Sequence, residues 1–318
     1  MIHVARDVDE QAANLGRWAQ RYQQLTPGRF EGNTIEAWFD GVQIFREILK
    51  QSVHQEGQPW PGSIAFGLPI AMDGNSNFCG DAMQQNSVIV VHDGSDFAFR
   101  TARMTDVIAV ALNLRELAEY ARDVEGFDIL AEIKGRHLVS AAEVQVEELR
   151  RFLLSVLGTL QSDPAVLSHA AARKSLETVI LGRLIAMLRS ASAGQAQLAV
   201  PYSRRQIVEM ARDYILAHVE DPLTVADVCV ALGVSRRTLQ YSFHDVFDIS
   251  PVKYLKVLRL NGARRDLKNG WVPETSVQDV AAKWGFWHLG HFATDYKRMF
   301  DETPSATLYG KPQAPMAS

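Results

Sequence analysis

The sequence predicts an α+β chain in two parts: a β-barrel-like region with trailing helices, then an all-α region of two similar helix-turn-helix units joined by a long helix. Three observations point there. Short apolar runs between turn residues crowd roughly the first hundred positions. The apolar period then changes from about two residues to three or four. Finally, the last third of the chain contains an internal repeat.

The strands come first. TIEAWF (34–39) and VQIFREIL (42–49) are parted by Asp40-Gly41, a hairpin signal because glycine readily supplies φ > 0. Runs at 63–70 (after Pro61-Gly62), 87–92, 96–101 and 107–113 follow. Short strands at this spacing predict an antiparallel sandwich or barrel. Helical periodicity takes over at 114–124, 140–160 and 164–191, with Leu176, Val179, Ile180, Leu184 and Met187 along one stripe. A small, polar stretch at 191–202 reads as a linker between residues 1–190 and 203–318. Beyond it the helices are well punctuated. Ser203 with Gln206 and Thr224 with Asp227 form cap pairs, Gly233 closes one helix, and Ser235 caps another starting at Arg236.

Composition narrows the classes. The 318 residues are 47% hydrophobic and 22% charged, the balance of a globular protein long enough for two cores. No apolar run approaches the ~20 residues that span a bilayer, and MIHVARDVDEQ lacks the basic-then-apolar order of a secretory signal. No membrane partner is expected. Cys79 and Cys229 form neither a disulfide framework nor a metal cluster, which fits a cytoplasmic chain. The net charge of −4 argues against coating nucleic acid by bulk attraction. It is uneven, however: 15 Lys and Arg face 13 Asp and Glu from Tyr202 onward, against 18 and 24 before it. Any anionic partner is therefore expected at the C-terminal third.

The repeat carries the functional argument. TVADVCVALG (224–233) matches SVQDVAAKWG (276–285) at an offset of 52, and one extra residue then makes the offset 53. At that offset Leu239 matches Phe292, Phe243 matches Tyr296, Phe247 matches Phe300, Asp248 matches Asp301 and Pro251 matches Pro304. Each copy reads helix, glycine turn, helix, whose second helix can enter a DNA major groove. HTH 1 spans about 224–247 and HTH 2 about 276–300. In the first copy Leu239, Phe243, Val246 and Phe247 form an apolar side. Arg237, Gln240, Tyr241 and His244 fall opposite at i, i+3, i+4 and i+7, where Arg suits guanine and Gln suits adenine. The segment of about 252–268 between the copies would span roughly 26 Å at ~1.5 Å per residue. That is close to the ~34 Å of one DNA turn.

The stretches VSRRTLQYSFHDVFDISPVKYLKVLRLNGARRDL (234–267) and WGFWHLGHFATDYKRMFDETPSATL (284–308), with the GF…F…F…P skeleton of the second, resemble the AraC/XylS family of transcription regulators. The resemblance implies a sequence-specific, dimeric regulator bound to double-stranded promoter DNA and working with RNA polymerase. Its N-terminal part would be a cupin-like effector and dimerisation domain. LTPGRFEG (25–32), VQIFRE (42–47) and WPGSIAFGLP (60–69) are similar, more loosely, to family members controlling ethanolamine-utilisation operons. That implies ethanolamine and adenosylcobalamin as effectors. A regulator of virulence or quorum-sensing genes with another effector, or none, is the alternative. A metal-independent β-domain enzyme and a protein-binding adaptor are the competing classes.

The candidate DNA-contacting residues are Arg236, Arg237, Gln240, Tyr241 and His244 in the first copy, and His288, His291, Thr294, Lys297 and Arg298 in the second. Lys297 and Arg298 lie late in their helix and suit phosphate, which fixes register without reading sequence. His288 and His291 also permit a metal reading with Asp295, although a metal needs three or four ligands and a supporting shell. Trp284 and Trp287 flank the second turn, one as core and one as a contact. Arg259, Arg264, Arg265 and Lys268 on the joining helix are expected to be a solvated face. In the N-terminal region Trp38, Trp60 and Phe66 are candidates for an effector pocket. His54 and His92 lack the H-x-H pattern of a metal-binding barrel, so no catalytic residue is assigned there.

Overall fold

Side-chain alternation decides how the N-terminal strands are layered. The computed structural model describes residues 2–191, 202–218, 223, 225–270, 275–286 and 289–310. The chain divides into two units, Met1–Tyr22 with Glu31–Ala199 and Gln23–Phe30 with Val200–Ser318. Most of the expected linker, 192–201, lies outside the described residues.

The first unit opens with β1 (Ile2–Ala5), α1 (Val8–Ala13) and β2 (Ala19–Gln24), the last two residues of which are assigned to the second unit. The strands β3 (Gly32–Phe39), β4 (Val42–Leu49), β5 (Val53–Gln58), β6 (Ser63–Asp73), β7 (Asn77–Phe78), β8 (Asp81–Ala82), β9 (Ser87–His92), β10 (Phe97–Arg100) and β11 (Met104–Asn113) follow. Then come α2 (Leu114–Asp123), α3 (Ile129–Ile133), β12 (Leu138–Ser140), α4 (Glu143–Ser162), a 3₁₀ turn at Pro164–Ser168 and α5 (Ala170–Ala191). The strands form two antiparallel sheets, ordered β1-β3-β4-β11-β6-β9-β12 and β2-β5-β10-β7-β8. Asp40 and Gly41 both take positive φ, 40° and 80°, and close the β3–β4 hairpin with Phe39 opposite Val42.

Along the larger sheet, Ile44, Phe66, Val88, Val90, Ile108 and Val110 point to one face and pack with helices α2 to α5. Phe45, Ala65, Ile89, Val91, Ala109 and Ala111 point to the other face. There they meet Phe78, Phe97 and Phe99 of the smaller sheet. Because successive residues face opposite sides, a stretch buried on both faces reads as a continuous apolar run, as VIVV (88–91) does.

The helical stripe on α5 shifts slightly. Ile180, Leu184 and Met187 are buried, but Val179 is exposed and Leu181, Ile185 and Leu188 take the inner positions. The long helix expected over 164–191 is also divided, because the Asp163 carboxylate accepts from the Ala165 backbone N–H and starts a separate turn at Pro164. No helix of the described residues is long and apolar enough to cross a membrane.

The second unit holds α6 (Tyr202–Ala217), α7 (Val225–Leu232), α8 (Arg236–Phe247), α9 (Pro251–Asn269), α10 (Val277–Lys283), α11 (Leu289–Phe300) and α12 (Pro304–Tyr309). The start of α6 precedes Ser203, which therefore lies inside the helix and not at its cap. Thr224 is outside the described residues. The Ser235 hydroxyl accepts from the Thr238 N–H at 3.0 Å and starts α8 at Arg236. Residues 23–30 also belong to this unit. Gln24 donates its backbone N–H to Asn261 Oδ1 (3.2 Å), and Asn261 Nδ2 donates back to the Gln24 carbonyl (3.1 Å).

Candidate nucleic-acid interface

Both copies of the repeat fold alike, and the reasons are local. Gly233 and Gly285 turn the chain at φ 64° and 74°, a conformation that costs glycine little. Asp248 and Asp301 end α8 and α11 in the same left-handed region, φ 55° and 58°. Asp tolerates that region better than most side chains. Ser250 and Thr303 then cap α9 and α12, each followed by proline at the first helical position.

The inner sides are aromatic. Leu239, Phe243 and Phe247 are buried, with Phe247 stacked on Tyr254 at 4.5 Å between ring centroids. Phe292, Tyr296 and Phe300 form the counterpart, with Phe286 4.9 Å from Phe292. The Tyr296 hydroxyl is hydrogen-bonded to Thr307 Oγ1 at 2.8 Å, and burial holds its pKa well above the ordinary tyrosine value.

What the inner side fixes, the outer side exposes. On α8, Arg236, Arg237, Gln240, Tyr241 and His244 are all exposed. The Arg237 guanidinium lies over the Tyr241 ring at 5.4 Å and donates to its hydroxyl at 3.3 Å. That contact limits the rotamers the arginine must give up on binding. His244 lies 3.6 Å from the Asp248 carboxylate. On α11, His291, Thr294, Lys297 and Arg298 are exposed. Thr294 Oγ1 donates to the Gly290 carbonyl at 2.9 Å, while Arg298 pairs with Asp295, which also takes Lys256 from α9. His288 and Trp287 lie outside the described residues. Asp295 is thus engaged by two cations, and no group of three or more His, Cys, Asp or Glu gathers among the described residues.

The joining helix departs from the expected solvated face. Its 19 residues span about 28 Å. Arg259 is half-buried and donates to the Leu223 carbonyl at 3.0 Å; burial lowers its pKa. Arg264 holds Glu302 through two nitrogens, at 3.0 and 2.9 Å. These arginines tie α9 to its neighbours. Trp284 lies over Gly262 of the same helix and donates its indole N–H to Asp266 at 2.9 Å. The isolated glycine in a helical pattern was the available signal for this close approach.

In the first unit the aromatic candidates separate. Phe66 is fully buried on the face toward the helices. Trp38 and Trp60 lie 5.9 Å apart, with Trp38 bonded to Glu36 at 2.5 Å and Trp60 to Gln43 at 3.3 Å. None of the three lines the cavity of about 60 Å³ on the opposite face, which is walled by Trp18, Phe45, Phe78, Phe97 and Phe99 with Glu47. His54 pairs with Glu56 on its own strand at 2.5 Å, and Cys79 is buried at φ 50°.

Residues 228–309 match the model of a family described as a helix-turn-helix domain. Over 102 residues the chain is 42% identical to a probable thc operon regulatory protein of Rhodococcus erythropolis, covering 32% of this chain and 31% of that one. It is 28% identical over 183 residues to the HTH-type transcriptional activator RhaS of Enterobacter sp. (strain 638), covering 58% and 62%. Among solved structures it resembles a probable AraC family transcriptional regulator from Rhodopseudomonas palustris CGA009. That likeness is 36% identity over 34% of this chain and 99% of that one, at a TM-score of 0.31. The chain spans less than two thirds of the length of each of these two curated relatives.

Proposed function

We infer that the C-terminal part of this chain is an AraC-type helix-turn-helix DNA-binding domain and that the whole chain is a sequence-specific transcription regulator. One observation carries the reading. Two helices of the same length, α8 and α11, are each anchored by an aromatic inner side and each present polar and basic side chains outward on a repeated frame. Helix α8 supplies Arg237 and Gln240 for base edges, and α11 supplies Lys297 and Arg298 for phosphate. His291 and Thr294 lie earlier on α11, toward the groove. The N-terminal unit is the sensing and dimerisation part of a cytoplasmic homodimer, which places paired readers on repeated half-sites and engages RNA polymerase as an activator.

Footprinting with the chain's own upstream DNA tests the reading. Protection is expected in two successive major grooves on one face, about 10 bp apart. Arg237→Ala with Gln240→Ala should abolish preference for that DNA over competitor. Binding without sequence preference by the unaltered chain, or unchanged preference in the double variant, would overturn it.

A further inference from the structure

A cation that already holds a carboxylate must release it before it can hold a phosphate, so pairing sorts the basic residues of the second unit. Ion pairs engage Arg204, Arg205, Arg212, Lys256, Arg264, Lys283 and Arg298. Arg259, Arg265 and Lys268 have partners as well. The Arg237 guanidinium meets only Tyr241. Among the described residues, the charged ends of Arg236, Lys253 and Lys297 meet no partner, and all three side chains are exposed. Arg236, Arg237 and Lys297 lie on the reading helices α8 and α11. Lys253 alone lies elsewhere, in the first turn of α9.

Nothing local favours a lysine at that place. Ser250 caps α9, Pro251 takes the first helical position and Lys253 the third, its backbone N–H donating to the Ser250 hydroxyl at 3.3 Å. The third position after a Ser cap suits Glu or Gln, which can reach back to the cap. The positive end of the helix dipole also disfavours a cation, and the first turn of α9 holds no acidic residue to offset it.

The repeat gives the lysine a counterpart. At the offset of 53, Lys297 of α11 matches His244 of α8, and Lys253 matches Ala306. His244 faces Asp248. Each copy thus carries one unpaired lysine toward the far end of its reading helix, on the helix itself in the second copy and just past it in the first. The Phe247 and Tyr254 rings, stacked at 4.5 Å, hold the first turn of α9 against the last turn of α8. Helix α8 has 12 residues and is about 18 Å long, more than the ~12 Å width of a major groove. With Arg237 in its first turn at base edges, its last turn comes out at the phosphate wall, and Lys253 with it.

We propose that Lys253 is the phosphate anchor of the first helix-turn-helix and does for α8 what Lys297 does for α11. The proposal rests on reading the second unit as a DNA-binding domain.

The test is a salt titration of the full chain on its own upstream DNA and on competitor DNA, followed by fluorescence anisotropy. Lys253→Gln should lower the slope of log affinity against log salt by about 1 and weaken binding to both DNAs by a similar factor. Its deficit should therefore shrink roughly three- to fourfold between about 50 and about 200 mM salt. Lys253→Arg should restore the slope, and Lys253→Gln combined with Lys297→Gln should lower it by about 2. Lys256→Gln removes a lysine already held by Asp295 and should leave the slope unchanged. Cooperative melting of each variant confirms that it folds. An unchanged slope in Lys253→Gln, no restoration by Lys253→Arg, or an equal loss in Lys256→Gln overturns the anchor while the DNA-binding reading stands. If the unaltered chain bound no DNA, that reading would itself fall, and the anchor with it.

Discussion

Replacing Gly262 with alanine should destabilise the second unit, although helix propensity alone predicts the opposite. A Cβ at this position would lie 2.0, 2.2 and 2.3 Å from three atoms of the Trp284 six-membered ring. Ordinary contact begins near 3.4 Å, so the ring must retreat by more than an ångström. It has little freedom to do so. Its indole N–H is bonded to Asp266, which also holds Lys283 at 2.9 Å, and its backbone N–H is bonded to the Val280 carbonyl at the end of α10. Overpacking of this kind costs about 1–3 kcal/mol, and the strained or lost indole bond adds about 0.5–1.5 kcal/mol. Alanine in place of glycine within a helix returns about 1 kcal/mol. The net expectation is a loss of about 1–3 kcal/mol, measured by urea unfolding of the full chain. Specific DNA binding should weaken with it, because Trp284 leads directly into the turn before α11. A variant more stable by about 1 kcal/mol would show that the tryptophan moves aside freely and that this contact does not set the second helix-turn-helix.

The remaining expectations concern readout, backbone and charge. Arg237→Ala should reduce discrimination at one base pair by about 1–3 kcal/mol, whereas Lys297→Ala should weaken binding to all sequences and lower the salt slope by about 1; competition titrations at several salt concentrations separate the two. Asp301→Ala should lower stability by about 1 kcal/mol, because its φ of 58° suits alanine poorly, while Asp301→Gly should be neutral or better by thermal melting. Glu47→Gln should have an effect that depends on pH. The folded state holds the Glu47 proton more tightly than the unfolded chain does, so the native group adds stability below the ordinary carboxylate range. That contribution is lost as pH rises toward the raised folded value. The melting-temperature difference between Glu47→Gln and the native chain should therefore grow in favour of the variant from acid to neutral pH, and a flat difference would contradict it.

Much of the DNA-binding frame was legible from neighbouring residues. Period, glycine turns, caps and the paired Asp-Pro signals all act within a few positions of one another, and the repeat displayed each twice. The strands of the smaller sheet were less visible. AQRYQQ and VHQEGQ, which form β2 and β5, are too polar to announce a strand, and pairing across the sheet decides them. Aromatic type drew attention to Trp38, Trp60 and Phe66, yet the cavity is walled by other rings.

By itself, then, the sequence determined the division into β-rich and helical parts, the two helix-turn-helix copies and the apolar side of each reading helix. These follow from local backbone preference and from periodic burial. Only the tertiary structure decided that Phe45 faces the cavity while its neighbour Ile44 faces the helices, that Gly262 seats a tryptophan 22 positions away, and that Tyr22, Gln11 and Gln55 converge on Glu47. Strand alternation creates two faces but does not say what will cover each one. That depends on which distant elements pack there, and no short stretch of the chain contains it.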